Sequence, residues 1–293
     1  DKAFLENNTD AIFTNEQGVR GVADFGAFVG FSSAPLDPNN PHAHWAYSYT
    51  STKWREYVKE GLAKLCAYLK TTPAANIVIG FRLAGGMDGQ FVQWQYGPEN
   101  GHFDYSEENR RALCNYLTEI YGTDAALQAA WGDPNVTLTT AKNPSVAEFR
   151  SVSVFNDKPG IGRRLADCRR FVAVGPAQTL NDFARTLKRE FGRPCLVDTW
   201  YTSSIWSQPG RLALDELIKD GGMDIIATVS GYSSLSEVTG PGCSADNSIS
   251  GLNLRGLLFV QEMDHRSWRT EITGGGMRDS LAIPADEHEF ANQ

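Results

Sequence analysis

The sequence has few of the residues that build covalent or metal-held frameworks. It contains five cysteines and five histidines in 293 residues, and no Cys-x-x-Cys pair. The cysteines are odd in number and far apart, which disfavours both a disulfide framework and a zinc site. Cys66, Cys114 and Cys168 fall at apolar or helical positions that are typical of packing residues. We therefore expect no structural metal and no disulfide-stapled fold.

Long apolar runs and clusters of basic residues are also missing. No stretch approaches the ~20 apolar residues that a membrane-spanning helix needs. The formal net charge is −8, whereas nucleic acids and anionic membranes are bound by clustered Lys and Arg. These features disfavour a nucleic-acid or membrane partner and predict a soluble protein, either exported or cytoplasmic. The sequence begins without Met, which is compatible with one domain over 1–293 or with a piece of a longer chain.

Motifs for nucleotide binding and for serine hydrolysis are absent as well. No Gly-x-Gly-x-x-Gly follows a predicted strand, and Gly274-Gly275-Gly276 does not open a helix after one. The Gly-x-Ser-x-Gly turn of serine hydrolases is missing too. We therefore expect no cofactor.

Helical periodicity marks several stretches of the chain. Residues 51–70 predict a helix with one buried stripe, formed by Trp54, Val58, Leu62, Leu65 and Leu69. A second helix begins after Ser106 as its N-cap and ends at Gly122, and DAALQAAWGD predicts a third. Residues 163–191 are helical in pattern, with an interruption near Gly175-Pro176.

The first 50 residues are rich in Asn, Pro, Gly and Ser, which predicts irregular structure. Three aromatic residues close this stretch, namely Trp45, Tyr47 and Tyr49. They either line a pocket or pack the irregular segment onto the body of the protein.

Four short apolar runs predict buried strands: IVIGFRL at 77–83, CLVDTWY at 195–201, MDIIATVS at 223–230 and GLLFVQEM at 256–263. Runs without polar alternation are typical of parallel strands covered on both faces. The helical LALDELIKD between the second and third runs completes a β-α-β alternation, which favours a parallel sheet. A (β/α)8 TIM barrel requires eight strands. The other four are either hidden in irregular stretches or lie outside this chain.

Functional side chains of parallel α/β barrels lie where strands end at their carboxyl edge. That rule selects Asp88, Gln90 and Trp94 after the first run, Trp200 and Tyr201 in the second, Tyr232 after the third, and Glu262, Asp264, His265 and Arg266 at the fourth. Hydrolysis of a glycosidic bond requires two carboxyl groups, and aromatic faces stack on sugar rings. The set therefore indicates a carbohydrate site.

Glu262 is the strongest candidate for a catalytic group, because LLFVQE is apolar up to the carboxylate. The alternative is a structural salt bridge with Arg82 or Arg266. Arg266 would also keep Glu262 ionised, since a nearby cation lowers a carboxylate pKa. His265 is a candidate hydrogen-bond donor to substrate or to Asp264, because a zinc site would need more His or Cys nearby.

Four segments in order resemble the catalytic barrel of glycoside hydrolase family 42 β-galactosidases, over about residues 45–270. They are VIGFRLAGGMDGQFVQW, FDYSEENRRALCNYLTEIYGTDAALQAAWGDPNVTL, GYSS and GLLFVQEMDHRSW, of which the second is the most specific. The resemblance implies a (β/α)8 barrel, a retaining mechanism, exo-action on a terminal β-linked sugar with a galactoside favoured, and an oligomer, often a trimer. By this match the chain runs from about the third barrel strand to just short of the eighth.

The resemblance also implies roles for individual residues. Glu262 matches the nucleophile at the end of the seventh strand, and Tyr232 matches the sixth-strand aromatic region. Gln90 matches the acid/base position of the fourth strand, where a glutamic acid is expected. Gly89 stands where family 42 usually has Asn, which marks a divergent branch.

An amide at position 90 cannot ionise or donate a proton, and three explanations stay open. Gln90 is an engineered replacement that keeps sugar binding, or Asp88 supplies the proton, or the chain binds carbohydrate without cleaving it. Asp88 precedes a glycine and is also a typical turn residue. Trp94 is either a stacking platform or a core anchor.

Overall fold

The structure is a computed structural model, and a four-stranded parallel sheet is its central feature. It describes residues 2–24, 31–32, 36–37, 39, 43–85, 103–152, 159–201, 213–219, 221–229 and 255–262. Within these residues, no helix is long and apolar enough to cross a membrane.

The first 50 residues contain more regular structure than their composition predicts. Helix α1 spans Lys2–Asn7 and a 3-10 turn spans Thr9–Ala11. Strands β1 (Val22–Asp24), β2 (Phe31–Ser32) and β3 (Ala43–Trp45) form an antiparallel sheet in the order β2-β1-β3. Strands of two or three residues are too short for an alternating pattern to appear in the sequence, which is why the prediction of irregular structure was wrong.

The three aromatic residues that close this region pack against the body of the protein. Tyr49 is buried, and Tyr47 stacks on Trp54 with ring centroids 4.0 Å apart. Tyr47 and Tyr49 therefore pack the first 50 residues onto the body of the protein, which was one of the two alternatives that the sequence left open.

Helix α2 (Thr52–Lys70) confirms the first predicted helix. Ser51 caps it by accepting a hydrogen bond from the Trp54 backbone N at 3.1 Å. Trp54 and Cys66 are its buried residues, whereas Leu65 is 43% exposed. The buried stripe therefore passes through Cys66 instead of Leu65.

Strand β4 (Gly80–Leu83) is shorter than the apolar run that predicts it, and a 3-10 turn at Pro73–Asn76 precedes it. Ile77 and Ile79 lie before the strand and are 79% and 76% exposed. The prediction of a run covered on both faces is therefore wrong at its amino-terminal end, where both isoleucine side chains are exposed.

Helices α3 (Glu107–Tyr121), α4 (Asp124–Trp131) and α5 (Val146–Arg150) follow. Ser106, Thr123 and Ser145 cap their starts with side-chain oxygens. Gly122 ends α3 at a φ of 69°, a left-handed conformation that glycine adopts without strain. The predicted N-cap and end of this helix are confirmed.

Asp167 joins these helices to the long helix that follows. Its carboxylate accepts hydrogen bonds from the Tyr121 hydroxyl at 2.6 Å and from the Trp131 indole at 2.8 Å, and it pairs with Arg163 at 3.0 Å. The side chain is buried, so these three donors replace the water that the charge loses.

Helix α6 (Pro159–Phe191) runs without the interruption that Gly175-Pro176 predicts. The Thr179 hydroxyl lies 3.0 Å from the Gly175 carbonyl oxygen and 2.7 Å from that of Tyr49. A Cβ at Gly175 would overlap Thr50 Cγ2, so glycine allows the close approach of the turn before α2. Tertiary packing therefore holds a helix through a proline.

The central sheet contains β4, β5 (Leu196–Trp200), β6 (Ile225–Val229) and β7 (Leu258–Glu262) in that order, all parallel. Helix α7 (Leu214–Leu217) lies between β5 and β6 along the chain. The four predicted strands and their parallel pairing are confirmed. The described residues thus give an α/β fold with a parallel sheet of four strands, half of the eight that a closed barrel has.

Candidate functional site

The carboxyl edge of the parallel sheet brings the ends of four strands together. Hydrogen-bonded register places Trp200 beside Ala227, and Val229 beside Glu262. Glu262 is the last residue of β7 and lies two positions closer to the edge than the row that contains Trp200. The nucleophile candidate is therefore at the edge where parallel α/β proteins place their chemistry.

Alternation along β5 divides the sheet into two faces. Val197 and Thr199 are fully buried on the face that packs against the helices. Asp198 and Trp200 occupy the opposite face, which we call the inner face. In β7 the same face carries Leu258 and Val260, which are 56% and 38% exposed.

An ion pair lies on this inner face. Arg82 Nε donates to Asp198 Oδ2 at 2.6 Å. The other carboxylate oxygen, Asp198 Oδ1, is buried without a hydrogen-bond partner. Burial raises the pKa of Asp198, and the hydrogen bond and charge of Arg82 partly offset that rise. Arg82, one of the two salt-bridge partners considered for Glu262, is thus paired with Asp198.

Trp200 lies one row nearer the carboxyl edge than this ion pair. Its side chain is half-buried, and its indole Nε1 is buried without a hydrogen-bond partner. An unpaired N–H donor and an unpaired carboxylate acceptor therefore lie two residues apart on one face of β5. Both atom types pair well with sugar hydroxyl groups, which donate and accept.

Tyr201 lies on the other side of the sheet from Trp200. It is fully buried in the main core, and its hydroxyl accepts a hydrogen bond from the Ala213 backbone N at 2.9 Å. This placement corrects the expectation that Tyr201 contacts a sugar, since a fully buried ring offers no face to a ligand.

Most other residues of the predicted site lie outside the described residues. These are Asp88, Gln90, Trp94, Tyr232, Asp264, His265 and Arg266. Glu262 is described through its backbone pairing with Val229. Their predicted roles remain predictions.

The distance between β4 and β7 limits how two catalytic groups on these strands could act together. Three strand spacings would put their backbones about 14 Å apart in a flat sheet. A retaining pair of carboxyl groups lies only roughly 5–5.5 Å apart. Groups on these two strands can meet across the inner face if the sheet curves as it does in a barrel.

The amino edge of the sheet also holds a cleft, of about 760 Å3, which is lined in part by Lys188, Arg193 and Cys195. Lys188 pairs with Asp224 at 2.9 Å, and Arg193 donates to the carbonyl oxygens of Ala75 and Val78. The two cationic side chains that line this cleft therefore already form structural interactions within the protein. No group of three acidic, His or Cys side chains suited to a metal occurs within the described residues.

Sequence reasoning did not single out the Arg82–Asp198 pair. The signal was present, because Asp198 is a charged residue inside an otherwise largely apolar run and lies two positions before Trp200. A polar residue two positions before a strand-end tryptophan belongs to the same face as that tryptophan.

Comparison with known proteins gives the fold but no family. No family model matches the sequence, and no curated protein matches it. Solved structures do match. The catalytic domain of a β-amylase from Paenibacillus polymyxa is 15% identical with a TM-score of 0.58, covering 99% of this chain and 66% of that one.

Two β-galactosidases are similar to this chain to a lesser extent. That of Bacillus circulans sp. alkalophilus is 16% identical with a TM-score of 0.51, over 82% of this chain. That of Marinomonas ef1 is 14% identical with a TM-score of 0.51, over 81% of this chain. The chain spans 30% of the length of each β-galactosidase. At these identities the comparisons support a glycoside-hydrolase-like fold and do not show which reaction, if any, the chain catalyses.

Proposed function

We propose that this chain is a retaining, exo-acting glycoside hydrolase domain that cleaves a terminal β-linked sugar, with a galactoside favoured. Glu262 acts as the nucleophile, and Gln90 occupies the acid/base position. The observation that carries the proposal is the location of Glu262, which ends a parallel strand at the carboxyl edge of a glycoside-hydrolase-like fold. Trp200 supports it, because its unpaired indole N–H lies on the same inner face.

In the retaining mechanism, the Glu262 carboxylate attacks the anomeric carbon while a second group protonates the leaving oxygen. The second group then removes a proton from the water that releases the sugar. Gln90 keeps the size and hydrogen bonds of a glutamic acid but performs neither proton transfer. In the protein as it stands, Asp88 is the remaining donor candidate in the same segment.

The amide at position 90 itself favours a second candidate function, a carbohydrate-binding protein without hydrolysis. In that case Trp94, Trp200, Tyr232 and the polar groups after β7 bind the sugar. The site has the same partners in both cases, an oligosaccharide or a glycoside, and differs only in its proton donor.

Hydrolysis of a panel of aryl β-glycosides tests the proposal. The protein is compared with Gln90→Glu, and each of the two with Glu262→Gln. We expect Gln90→Glu to raise the rate by several orders of magnitude and Glu262→Gln to abolish that gain. A substrate of β-amylases belongs in the panel, because a β-amylase has a similar fold.

Matched control variants distinguish an effect at the proposed site from the general effect of adding or removing one negative charge. Gln17 and Glu60 are exposed, so Gln17→Glu and Glu60→Gln make the same chemical changes away from the site and should leave the rates unchanged. If the unmodified protein is active and Asp88→Asn removes that activity, Asp88 is the donor. Sugar binding without cleavage by any variant would establish the binding function and contradict the hydrolase.

A further inference from the structure

Two unpaired polar atoms lie two residues apart on the inner face of β5. Asp198 Oδ1 is a buried acceptor and Trp200 Nε1 is a buried donor, and neither has a hydrogen-bond partner in the part of the chain that the structure describes. A buried polar atom without a partner is costly, because it has lost its water and gained no bond in exchange. Since most buried polar atoms in proteins are paired, two unpaired atoms on one face of one strand require an explanation.

The neighbours of Asp198 on the inner face leave its Oδ1 atom without a donor. The register places Arg82 of β4 on one side and Ile225 of β6 on the other. Arg82 Nε donates to the other oxygen, Oδ2, at 2.6 Å, and Ile225 has no side-chain donor. Leu196, two residues before Asp198 along β5, is apolar as well. The Oδ1 atom therefore receives no hydrogen bond from these neighbours.

Trp200 has apolar neighbours on the same face. Ala227 of β6 lies beside it, and Val260 of β7 lies beside Ala227 in the same row. Neither side chain accepts a hydrogen bond from the indole N–H. Glu262 ends β7 two positions after Val260. The unpaired donor therefore lies close to the edge of the sheet at which the proposed chemistry takes place.

A hydroxyl group offers the complementary functions, since it donates one proton and accepts at its oxygen. We propose that Asp198 and Trp200 together bind one hydroxyl group of the sugar, which donates to Asp198 Oδ1 and accepts from Trp200 Nε1. Asp198 is then a specificity-determining residue, because a sugar that lacks this hydroxyl leaves both buried atoms unpaired. The inference rests on the proposed carbohydrate site, and it applies equally to hydrolysis and to binding without hydrolysis.

The spacing of the two residues suits a single shared oxygen. Two residues on the same face of a strand are about 6.6 Å apart along it. An oxygen that forms two hydrogen bonds of about 2.8 Å joins atoms as far as roughly 5.5 Å apart. Side chains of strands lean along the strand direction, and a small lean of Asp198 and Trp200 towards each other closes the difference.

The charge balance favours a neutral hydroxyl group over an ion. The charge of Asp198 is matched by Arg82 at 2.6 Å, so the pair adds no net charge to the inner face. A cationic ligand would be repelled by Arg82, and an anionic ligand would be repelled by Asp198. Arg82 also occupies Oδ2, which leaves Oδ1 as the oxygen for a ligand. Water has the same functions as a sugar hydroxyl, so the test has to distinguish the two.

NMR titration with methyl β-galactoside, methyl β-glucoside and their 2-, 3-, 4- and 6-deoxy derivatives tests the proposal. Each derivative lacks one hydroxyl group, and the protein is compared with Asp198→Asn. Arg82 Nε requires an acceptor, so the amide oxygen pairs with Arg82 and the amide NH2 replaces Oδ1. We expect Asp198→Asn to weaken binding of the parent sugar about ten-fold or more. One deoxy derivative should bind the protein and Asp198→Asn with equal affinity.

Trp200→Phe is a second variant, which keeps an aromatic ring and removes the N–H donor. It should weaken binding of the parent sugar and leave unchanged the affinity for the same deoxy derivative that Asp198→Asn leaves unchanged. If Asp198→Asn does not fold, the Trp200→Phe series decides alone. Asp215→Asn is the matched control, because it makes the same change in an ion pair with Arg170 at a site where Asp215 is 71% exposed. It should leave every affinity unchanged.

The results separate failure of this inference from failure of the proposed function. If both variants bind the parent sugar as tightly as the protein does, the two atoms hold water and no sugar hydroxyl. If Asp198→Asn weakens all the derivatives by the same factor, or if the two variants point to different hydroxyl groups, the shared hydroxyl is wrong. In each of these cases the carbohydrate site stands. If no sugar of the series binds to the protein, both the inference and the carbohydrate site are wrong.

Discussion

Replacing Arg82 by methionine tests the ion pair that lies on the inner face below the proposed site. Arg82 is 48% exposed and Asp198 is 15% exposed in their side chains. Solvent screens the pair, so its direct attraction contributes less than about 1 kcal/mol. The larger effect is on Asp198, which keeps its charge but loses its partner while Oδ1 is already unpaired. We expect Arg82→Met to lower the free energy of unfolding by about 1–2 kcal/mol at pH 7.

A double-mutant cycle with Asp198→Asn identifies the cause of that loss. Adding Asp198→Asn removes the unpartnered charge, so it should restore most of the stability of Arg82→Met. The pKa of Asp198 is raised by burial, and it should rise further without Arg82. Stability of Arg82→Met should therefore fall as pH rises through this pKa, and the difference from the unmodified protein should shrink in acid.

Urea unfolding at several pH values measures all four forms of the cycle. Arg189→Met is the matched control, because Arg189 is 63% exposed and forms a surface ion pair with its neighbour Glu190. Its loss should stay within about 0.5 kcal/mol. Two results would refute this explanation: Arg82→Met as stable as the unmodified protein at pH 7, or no recovery of stability on adding Asp198→Asn. Either would show that the buried charge of Asp198 does not cause the loss of stability.

Two further substitutions test the packing around α6. Gly175→Ala places a methyl group on Thr50 Cγ2 and should lower the free energy of unfolding by about 1–3 kcal/mol. Thr50→Ser removes the Thr50 methyl group, keeps the hydroxyl, and should restore the stability of Gly175→Ala. Thermal unfolding measures both variants, and no recovery in the double variant would contradict the contact. Asp167→Ala leaves the Tyr121 hydroxyl and the Trp131 indole N–H without their acceptor and should cost about 2–4 kcal/mol by urea unfolding. Asp133→Ala removes one exposed hydrogen bond and should cost under about 1 kcal/mol, so equal losses would refute the role of Asp167.

The parallel sheet was predictable from the sequence because each of its strands is a separate apolar run between polar stretches. β5, β6 and β7 all lie within predicted runs, and their parallel order follows from β-α-β alternation. Apolar character does not show which side chains the sheet will cover, so the exposed Ile77 and Ile79 were assigned to a buried strand that starts at Gly80. The ladder with β5 sets that start, and it is a long-range property.

The same limit explains the errors in the site and in α6. Trp200 and Tyr201 are adjacent in sequence, yet the period of a strand places them on opposite faces, and only burial decides which face is the core. Pro176 predicts an interruption from local chemistry alone. The helix continues because the Thr179 hydroxyl donates a hydrogen bond to the Tyr49 carbonyl oxygen, which joins this part of α6 to the turn before α2. At this position a tertiary contact outweighs the local tendency of proline to interrupt a helix.

The two halves of the proposed chemistry therefore rest on different kinds of support. Glu262 is held by the hydrogen-bonded ladder with β6, in which a slip of one residue would move it to the helix-packed face. Gln90 comes five residues after Gly85, in the stretch of sequence between β4 and α3. Glu262→Gln thus tests a position fixed by backbone pairing. Gln90→Glu tests a position that the resemblance of the sequence alone assigns.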